Sequence, residues 1–231
     1  MKLYICEDYR IAKWRRHIIN DKKISLVFAK KCICDFLNEK ESSVDIIFSK
    51  NEYGKPYIDG IYKIIETGKN EPEKIKIDIS LFFSLSHSEN MIVCAIACFN
   101  IGADCQKINI NNTETCKKIA GRFYTEKENI FLNSINSGDS ETEQEYINNF
   151  FKIWAKKEAY IKYTGRGLSE GMNTFSVTDE KSQSNYHADV YFRNISLEKS
   201  KKIKIPNKDK FYIYLCYNKE NKNNCQIKYF N

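Results

Sequence analysis

Residues 151–168, FKIWAKKEAYIKYTGRGL, predict a long helix that carries both acid and base. Its apolar residues recur at helical spacing and form one stripe: Phe151, Trp154, Ala155, Tyr160 and Ile161. Gly165 is suited to end the helix, because glycine readily adopts the left-handed conformation that follows the last helical turn. Glu158 and Lys162 are four residues apart, so their side chains share one face. Taken alone, this pair is typical of a solvated acid-to-base contact, and its meaning depends on residues elsewhere.

A second group of polar side chains lies far upstream, in residues 82–106. This passage predicts strand, turn and strand: SHS precedes an apolar run, a turn follows at Asn100, and the next strand carries Asp104. Further upstream, EYGKPY at residues 52–57 has glycine and proline where they favour a turn that presents Lys55. The chain therefore offers a carboxylate and a lysine that complement the helix pair.

Four short motifs, in this order, resemble those of the 4′-phosphopantetheinyl transferases of the surfactin-synthetase-activating type. They are GKP at residues 54–56, SHS at 86–88, GAD at 102–104 and WAKKEAYIK at 154–162. The resemblance extends from Arg10 to Leu168, and the strands after it are less diagnostic. Each motif alone is weak, but their order and spacing together are specific.

The resemblance implies an α+β fold with two similar α/β subdomains, related by a pseudo-twofold, and an active site in the cleft between them. We expect an N-terminal lobe at residues 1–102 and a C-terminal lobe at residues 103–231, joined near Asn100 to Asp104. The residue patterns by themselves predict helices and strands in both halves but show no internal symmetry.

Local patterns predict the individual elements. Helices are predicted at Lys23–Asn38 and Thr113–Arg122, and another begins at Thr125, whose capping box would use Glu128. The polar segment Asn133–Glu145 predicts a mobile surface loop. Strands are predicted over five ranges: Met1–Asp8, Val44–Phe48, Phe175–Thr178, Tyr186–Phe192 and Phe211–Tyr217.

Coenzyme A and a carrier protein are the substrates that the resemblance implies. A serine of an apo acyl or peptidyl carrier protein would attack the β-phosphorus of coenzyme A, so that 4′-phosphopantetheine is transferred and adenosine 3′,5′-bisphosphate leaves. Mg²⁺ suits the pyrophosphate, because it prefers oxygen ligands and shares them with phosphates and water. Carriers of fatty acid, polyketide and nonribosomal peptide synthesis all present such a serine, so the sequence leaves the carrier open.

The metal ligands implied by the resemblance are Asp104, Gln106 and Glu158. Members of the family commonly have glutamate two residues after the aspartate, whereas this chain has Gln106. An amide oxygen binds a hard cation but adds no negative charge, so we expect weaker Mg²⁺ binding or a water in place of this ligand.

The resemblance also assigns catalytic roles to Asp104, Glu158 and Lys162. Lys162 would neutralise the pyrophosphate or assist the leaving group, and Lys157 would flank the same site. The base that takes the serine proton stays open between Glu158, Glu128 and a metal-bound water. Glu128 is equally well explained as a capping-box residue at a helix start.

Cationic and small polar residues would hold coenzyme A. The resemblance places them at Lys13, Lys23, Lys55, Ser86, His87, Lys157 and Lys162. Lys22 is interchangeable with Lys23, because the local alignment slips by one residue. Before and at the first predicted helix, basic residues concentrate in a patch: Arg10, Lys13, Arg15, Arg16, Lys22 and Lys23.

The composition fits a globular protein. The chain has 231 residues, of which 42% are hydrophobic and 13% aromatic, which suffices for one large domain or two small ones. It has no apolar stretch of about twenty residues, and its start lacks the features of a signal peptide, so we expect a cytoplasmic monomer that does not contact membranes. Nine cysteines without a CxxC pair favour reduced, buried thiols over structural zinc.

Two other functions are compatible with parts of the sequence. Gln106 in place of a carboxylate favours a non-catalytic protein that binds coenzyme A or a carrier. The net charge of +7 and the interspersed tyrosines favour a nucleic-acid-binding module. The chain shows no recognition helix, ribonucleoprotein motif or zinc pattern, so we expect no nucleic-acid partner.

Overall fold

The structure, a computed structural model, describes residues 1–6, 21–67, 71–108, 112–135, 139–178, 189–197, 211–222 and 224–230. The helices in these ranges are α1 (Asp21–Leu37), α2 (Thr113–Phe123), α3 (Glu126–Ile135) and α4 (Ser140–Thr164). The strands in the first half are β1 (Lys2–Cys6), β2 (Val44–Lys50), β3 (Pro56–Ile65), β4 (Glu73–Lys76), β5 (Phe82–Ser88) and β6 (Met91–Ala97). The remaining strands are β7 (Ile101–Lys107), β8 (Val190–Ile195), β9 (Phe211–Asn218) and β10 (Gln226–Phe230). The predicted α+β class is confirmed.

The strands form three sheets. One has the order β10-β1-β6-β5, a second β2-β3-β4, and a third β7-β9-β8. In the first sheet β1 is antiparallel to β6 and parallel to β10. The last strand of the chain therefore lies in the sheet of the first half. The predicted lobe boundary at residue 102 and the pseudo-twofold stay predictions.

Three groups of buried apolar side chains hold the layers together. One lies between α1 and the strands of the first half, with Phe28 and Tyr4 at its centre. Another lies around α4, including Phe150 and Tyr160. The third group joins β1 and β6 to β7 and β9, so the first and third sheets share one core. Because this shared core removes apolar surface of both halves from water, it stabilises their association.

Serine side chains connect β5 to β7, the edge strands of two different sheets. We call Ser84, Ser86 and Ser88 the serine seam. Ser84 Oγ accepts the Ala103 N–H at 2.9 Å, and Ser88 Oγ accepts the Lys107 N–H at 3.0 Å. Because alternate residues of a strand point to the same face, the three serines all reach β7. The middle one, Ser86, is thereby aimed at Asp104.

Helix α4 crosses β7 at a glycine. A Cβ atom on Gly102 would lie 1.9 Å from the Ala159 carbonyl oxygen and 2.5 Å from the Tyr163 nitrogen. Only the absence of a side chain permits this approach, which brings the C-terminal half of α4 against the strand that carries Asp104.

Two asparagines of the first half hold the end of α4. The helix is capped by Gly165, at φ 75° in the left-handed conformation. Asn51 donates from Nδ2 to the Gly165 carbonyl at 2.9 Å, and Asn100 donates to the Tyr163 carbonyl at 2.9 Å. These bonds satisfy carbonyls that a helix end leaves unpaired, and they link α4 to the first half.

Several predictions of elements need correction. The predicted loop Asn133–Glu145 is helical at both ends: α3 continues to Ile135, and Asp139 caps α4 by accepting the N–H groups of Glu141 and Thr142; residues 136–138 lie outside the described residues. Phe175–Thr178 is irregular rather than a strand. The passage predicted as strand, turn and strand contains three strands, β5 to β7. No helix in the described ranges is long and apolar enough to cross a membrane.

Replacing Gly102 by alanine is expected to destabilise the protein by about 1–3 kcal/mol or more, because the new methyl group would force α4 away from β7. Chemical denaturation followed by circular dichroism measures the loss. Gly121→Ala in α2 is the matched control: its Cβ would meet nothing within 4 Å, so the better helix propensity of alanine should be neutral to stabilising. Equal stability of the Gly102 variant and the wild type would contradict the close approach.

Candidate functional site

Asp104 is the centre of a buried polar cluster. Its side chain is 1% exposed. Oδ1 accepts from Lys162 Nζ at 2.6 Å and from Ser86 Oγ at 2.8 Å, and Oδ2 accepts from Gln106 Nε2 at 3.0 Å. Lys162 Nζ also donates to Ser86 Oγ at 2.9 Å. The cluster thus combines side chains that are up to 76 residues apart in sequence.

Three secondary-structure elements that are distant in sequence contribute the side chains of this cluster. Asp104 and Gln106 are alternate residues of β7 and share a face, Ser86 comes from the serine seam on β5, and Lys162 comes from the last turn of α4. The close packing at Gly102 sets the distance between α4 and β7. The structure therefore brings together Asp104, Gln106, Ser86 and Lys162, as their shared assignment to one site requires.

Glu158 lies one helical turn before Lys162 and faces an open cavity. This cleft cavity, of about 370 Å³, is lined by Glu158 and Lys162 from α4, by Ser84 and Leu85 from β5, and by residues 53–56. Burial raises the pKa of Glu158, the Lys162 ammonium opposes that rise, and the Asp104 carboxylate adds to it. No described residue donates a hydrogen bond to Glu158, so its carboxylate is available to a ligand or a proton in the cavity.

Lys55 lines the cleft cavity and also a neighbouring cavity of about 580 Å³. Its backbone N–H donates to Asn51 Oδ1 at 2.8 Å, which fixes the turn that carries it. Burial lowers the pKa of the Lys55 ammonium. Among the described residues no carboxylate pairs with this ammonium, so an anion in either cavity would relieve the cost of its burial.

The remaining residues assigned to coenzyme A are not all at the cluster. His87 is exposed and lies on the opposite face of β5 from Ser86, because successive strand residues alternate. Lys13 lies outside the described residues, and so does the side chain of Lys23. Their assignments stay predictions.

Lys157 does not flank the site as expected. It is fully buried on the other side of α4, where Nζ forms an ion pair with Glu128 Oε2 at 2.8 Å. Nζ also donates to the carbonyl oxygens of Met172 at 2.7 Å and Phe175 at 2.5 Å. Successive helix residues are rotated by about 100°, so Lys157 and Glu158 face different surroundings. In this arrangement Lys157 has no free surface for a phosphate.

The contacts of Glu128 bear on its two predicted roles, as a capping-box residue and as the base. It forms the capping box: Oε2 accepts the Thr125 N–H at 2.9 Å, and Thr125 Oγ1 accepts the Glu128 N–H at 3.3 Å. Oε1 accepts the Val177 N–H at 2.8 Å. With both carboxylate oxygens engaged and no exposed surface, Glu128 cannot reach a serine in the cleft cavity.

The donor set at Asp104 fits a hard divalent cation. The described residues contain no group of three or more His, Cys, Asp or Glu side chains that would hold a metal ion. They do contain two carboxylates near one another, Asp104 and Glu158, with the amide of Gln106 beside the first. Oxygen donors of this kind suit Mg²⁺, and a cation would offset both the burial of Glu158, which chiefly raises its pKa, and the repulsion from Asp104, which adds to that rise.

Several residues that shape the site carry no recognisable sequence signal. Ser84 belongs to a polar alternation that also fits an ordinary exposed strand face, and the motif that contains Ser88 does not predict its bond to β7. Asn51 and Asn100 are turn residues by type, and only the tertiary fold shows that both bind the end of α4. Gly102 was part of a recognised motif, but its role follows only from the packing of α4.

Comparison with known proteins shows that the part of the chain that carries most of the site matches one family. The sequence model of the 4′-phosphopantetheinyl transferase superfamily matches residues 100–216, which include Asp104, Gln106, Glu158 and Lys162. Lys55 and the serine seam lie outside the match.

Relatives with this activity in their names are similar over part of the chain. The 4′-phosphopantetheinyl transferase gsp of Aneurinibacillus migulanus is 32% identical over 139 residues, 60% of this chain and 46% of that protein. Sfp of Bacillus subtilis (strain 168) is 32% identical over 133 residues, 58% of this chain and 47% of that protein. HetI of Nostoc sp. is 35% identical over 91 residues, 39% of this chain and 35% of that protein. The chain spans about half the length of the curated relatives it matches.

The similarity to Sfp confirms the type of protein that the four motifs indicated. The superfamily match covers half of the chain and contains the carboxylates and the lysine around which the site is built. The chain therefore belongs to the 4′-phosphopantetheinyl transferase superfamily.

Proposed function

We propose that the protein transfers the 4′-phosphopantetheine arm of coenzyme A to a serine of an apo carrier protein, in a reaction that requires Mg²⁺ and releases adenosine 3′,5′-bisphosphate. The observation that carries this proposal is the convergence of Asp104, Glu158 and Lys162 beside the cleft cavity. The names of the relatives support the reaction class, and the unpaired Lys55 supports an anionic ligand.

Glu158 is the residue best placed to act as the base. The serine Oγ attacks the β-phosphorus, the bond from that phosphorus to the bridging oxygen breaks, and adenosine 3′,5′-bisphosphate departs with the bridging oxygen. Glu158 accepts the serine proton in this scheme, since it lines the cavity and has a raised pKa. Burial of Glu128 and the engagement of both its carboxylate oxygens favour Glu158 over Glu128 as this base.

Cationic groups of the chain would stabilise the charge on the phosphates. Lys162 lines the cavity one helical turn from Glu158, and Lys55 lines the same cavity. A bound Mg²⁺, held by Asp104 and Glu158 with the amide oxygen of Gln106, would supply further neutralisation of the pyrophosphate. The residues of the chain would orient the phosphate between the two lysines and exclude water with Leu85 and Ile161.

Intact-mass analysis tests the function directly. Apo acyl and peptidyl carrier proteins are incubated with coenzyme A, Mg²⁺ and the full chain, and the expected result is a mass increase of one phosphopantetheine on the carrier serine. A carrier with that serine replaced by alanine should stay unmodified. The absence of any modification across carriers of all three biosynthetic classes would contradict the proposal.

A non-catalytic protein that binds coenzyme A or a carrier is the second candidate. Gln106, which stands where the family commonly has a carboxylate, favours it. Calorimetry with coenzyme A, together with the intact-mass analysis, separates the two functions. Coenzyme A binding without carrier modification supports the second candidate, and modification of the carrier rules it out.

Lys55→Ala is expected to raise the KM for coenzyme A by about tenfold, with a smaller effect on kcat. In the proposed function the ammonium binds a phosphate at the nucleotide end of coenzyme A, an interaction made in ground and transition states alike. His87→Ala should show the same pattern if the family assignment holds. Steady-state kinetics with saturating carrier measures both values.

Lys50→Ala is the control for this prediction, because Lys50 is an exposed lysine at the end of β2. It should leave the KM for coenzyme A unchanged. A fall in kcat with unchanged KM in the Lys55 variant would instead place this residue in the chemical step.

A further inference from the structure

Asp104 is already engaged by the chain's own donors. Lys162 and Ser86 occupy one carboxylate oxygen, and Gln106 occupies the other. With 1% of its side chain exposed, Asp104 has little unoccupied surface. One ammonium group at 2.6 Å balances the negative charge of the Asp104 carboxylate, and the nearby Glu158 adds a second carboxylate to the site.

Lys162 separates Asp104 from the cleft cavity. Lys162 is 28% exposed and lines the cavity, whereas Asp104 is not part of the cavity wall. A cation that arrives through the cavity therefore meets the lysine ammonium before it reaches the carboxylate. Two cations cannot share one carboxylate oxygen at bonding distance without strong repulsion.

We propose that Lys162 and a divalent cation compete for the same oxygen of Asp104, so that metal binding displaces the ammonium towards the cavity. There the released ammonium is free to bind the phosphates of the ligand. The inference rests on the proposed function, because that function supplies the reason for a metal ion and a phosphate ligand at this site.

Gln106 shifts the competition towards the lysine. Its neutral amide donates to Asp104 and adds no negative charge beside the carboxylate that pairs with Lys162. A glutamate at this position would add a second negative charge next to Asp104, which favours a divalent cation over a monovalent ammonium. Gln106→Glu is therefore expected to tighten metal binding while Lys162 is still present.

Calorimetric titration of the full chain with Mg²⁺, without coenzyme A or carrier, tests the competition. Lys162→Met is expected to bind Mg²⁺ roughly tenfold or more tightly than the wild type, because the cation no longer has to displace a charge-assisted hydrogen bond. Lys152→Met is the matched control: this lysine is also on α4, but its Nζ lies over the Tyr212 ring, 5.8 Å from the centroid. It reports the general effect of removing one positive charge.

Amine labelling of the wild type provides a second measurement that needs no variant. Mg²⁺ should increase the labelling of Lys162 relative to Lys152, as read by mass spectrometry. The proposal is overturned by equal Mg²⁺ affinities of the two lysine variants, by the absence of Mg²⁺ binding in both wild type and Lys162→Met, or by unchanged labelling. Neither experiment measures transfer to a carrier. If the metal and Lys162 compete as proposed but the separate intact-mass test shows no carrier modification, only the proposed function is overturned.

Discussion

Asp104→Ala is expected to lower the rate of carrier modification by about a hundredfold or more, and Glu158→Ala by a similar factor. Asp104 supplies the only negative charge that contacts Lys162 among the described residues, and Glu158 supplies the second carboxylate of the site. Loss of Asp104 removes a proposed metal ligand and the group that positions Lys162, and loss of Glu158 removes a proposed metal ligand and the proposed base. Single-turnover transfer to a carrier, followed by intact mass, measures the rate.

Circular dichroism should show that the Asp104 variant keeps its fold, because Lys162 lines an open cavity and its ammonium can reach water after the carboxylate is gone. Glu145→Ala is the control, since Glu145 is an exposed acidic residue near the start of α4. Transfer by the Asp104 variant at the wild-type rate, or undiminished transfer in excess chelator, would remove these residues and the metal from the reaction.

The sequence could place the candidate side chains Glu158 and Lys162 together because their motif preserves local spacing. Glu158 and Lys162 share a helix face by their four-residue separation, which any helical conformation guarantees. Asp104 required the resemblance, because nothing in a strand pattern distinguishes a buried carboxylate from a turn residue. The structure then shows distances that sequence spacing cannot predict, such as the 2.6 Å between Lys162 Nζ and Asp104 Oδ1.

Lys157 shows where sequence reasoning reached its limit. Its position next to Glu158 suggested a shared site, yet the two side chains point to different sides of α4. A lysine in such a motif is normally solvated or bound to a ligand, and full burial is rare without a partner. That partner, Glu128, is 29 residues away, and only tertiary packing brings the two together.

Long-range pairing also explains the elements that the sequence patterns missed. β10 is stabilised by parallel pairing with β1 from the opposite end of the chain, and Phe230 stacks on Tyr4 with ring centroids 5.6 Å apart. Its own sequence, QIKYF, is no stronger a strand pattern than many short exposed segments, and the pairing with β1 stabilises it. The predicted loop Asn133–Glu145 failed for a different reason: the first turn of a helix is often polar, since its acidic and hydroxyl residues satisfy free N–H groups.

Removal of either member of the buried Glu128–Lys157 pair is expected to cost about 3–5 kcal/mol of folding stability. Both side chains are 0% exposed. Lys157→Met would leave a buried carboxylate without its counterion and two carbonyl oxygens without their donor. Glu128→Ala would leave the ammonium without its counterion and would also open the capping box. Urea denaturation of each variant gives the change in unfolding free energy.

A double-mutant cycle identifies the ion pair as the cause. The combined variant Glu128→Ala and Lys157→Met should be more stable than the sum of the single losses predicts, because neither charge is then left buried alone. Glu114→Ala is the matched control: its ion pair with Lys117 at 2.9 Å lies on the exposed surface of α2, where solvent screens it, so the loss should be far smaller. Single variants as stable as this control would show that the pair contributes nothing to the fold, and Lys157 would then again be a candidate for binding the ligand.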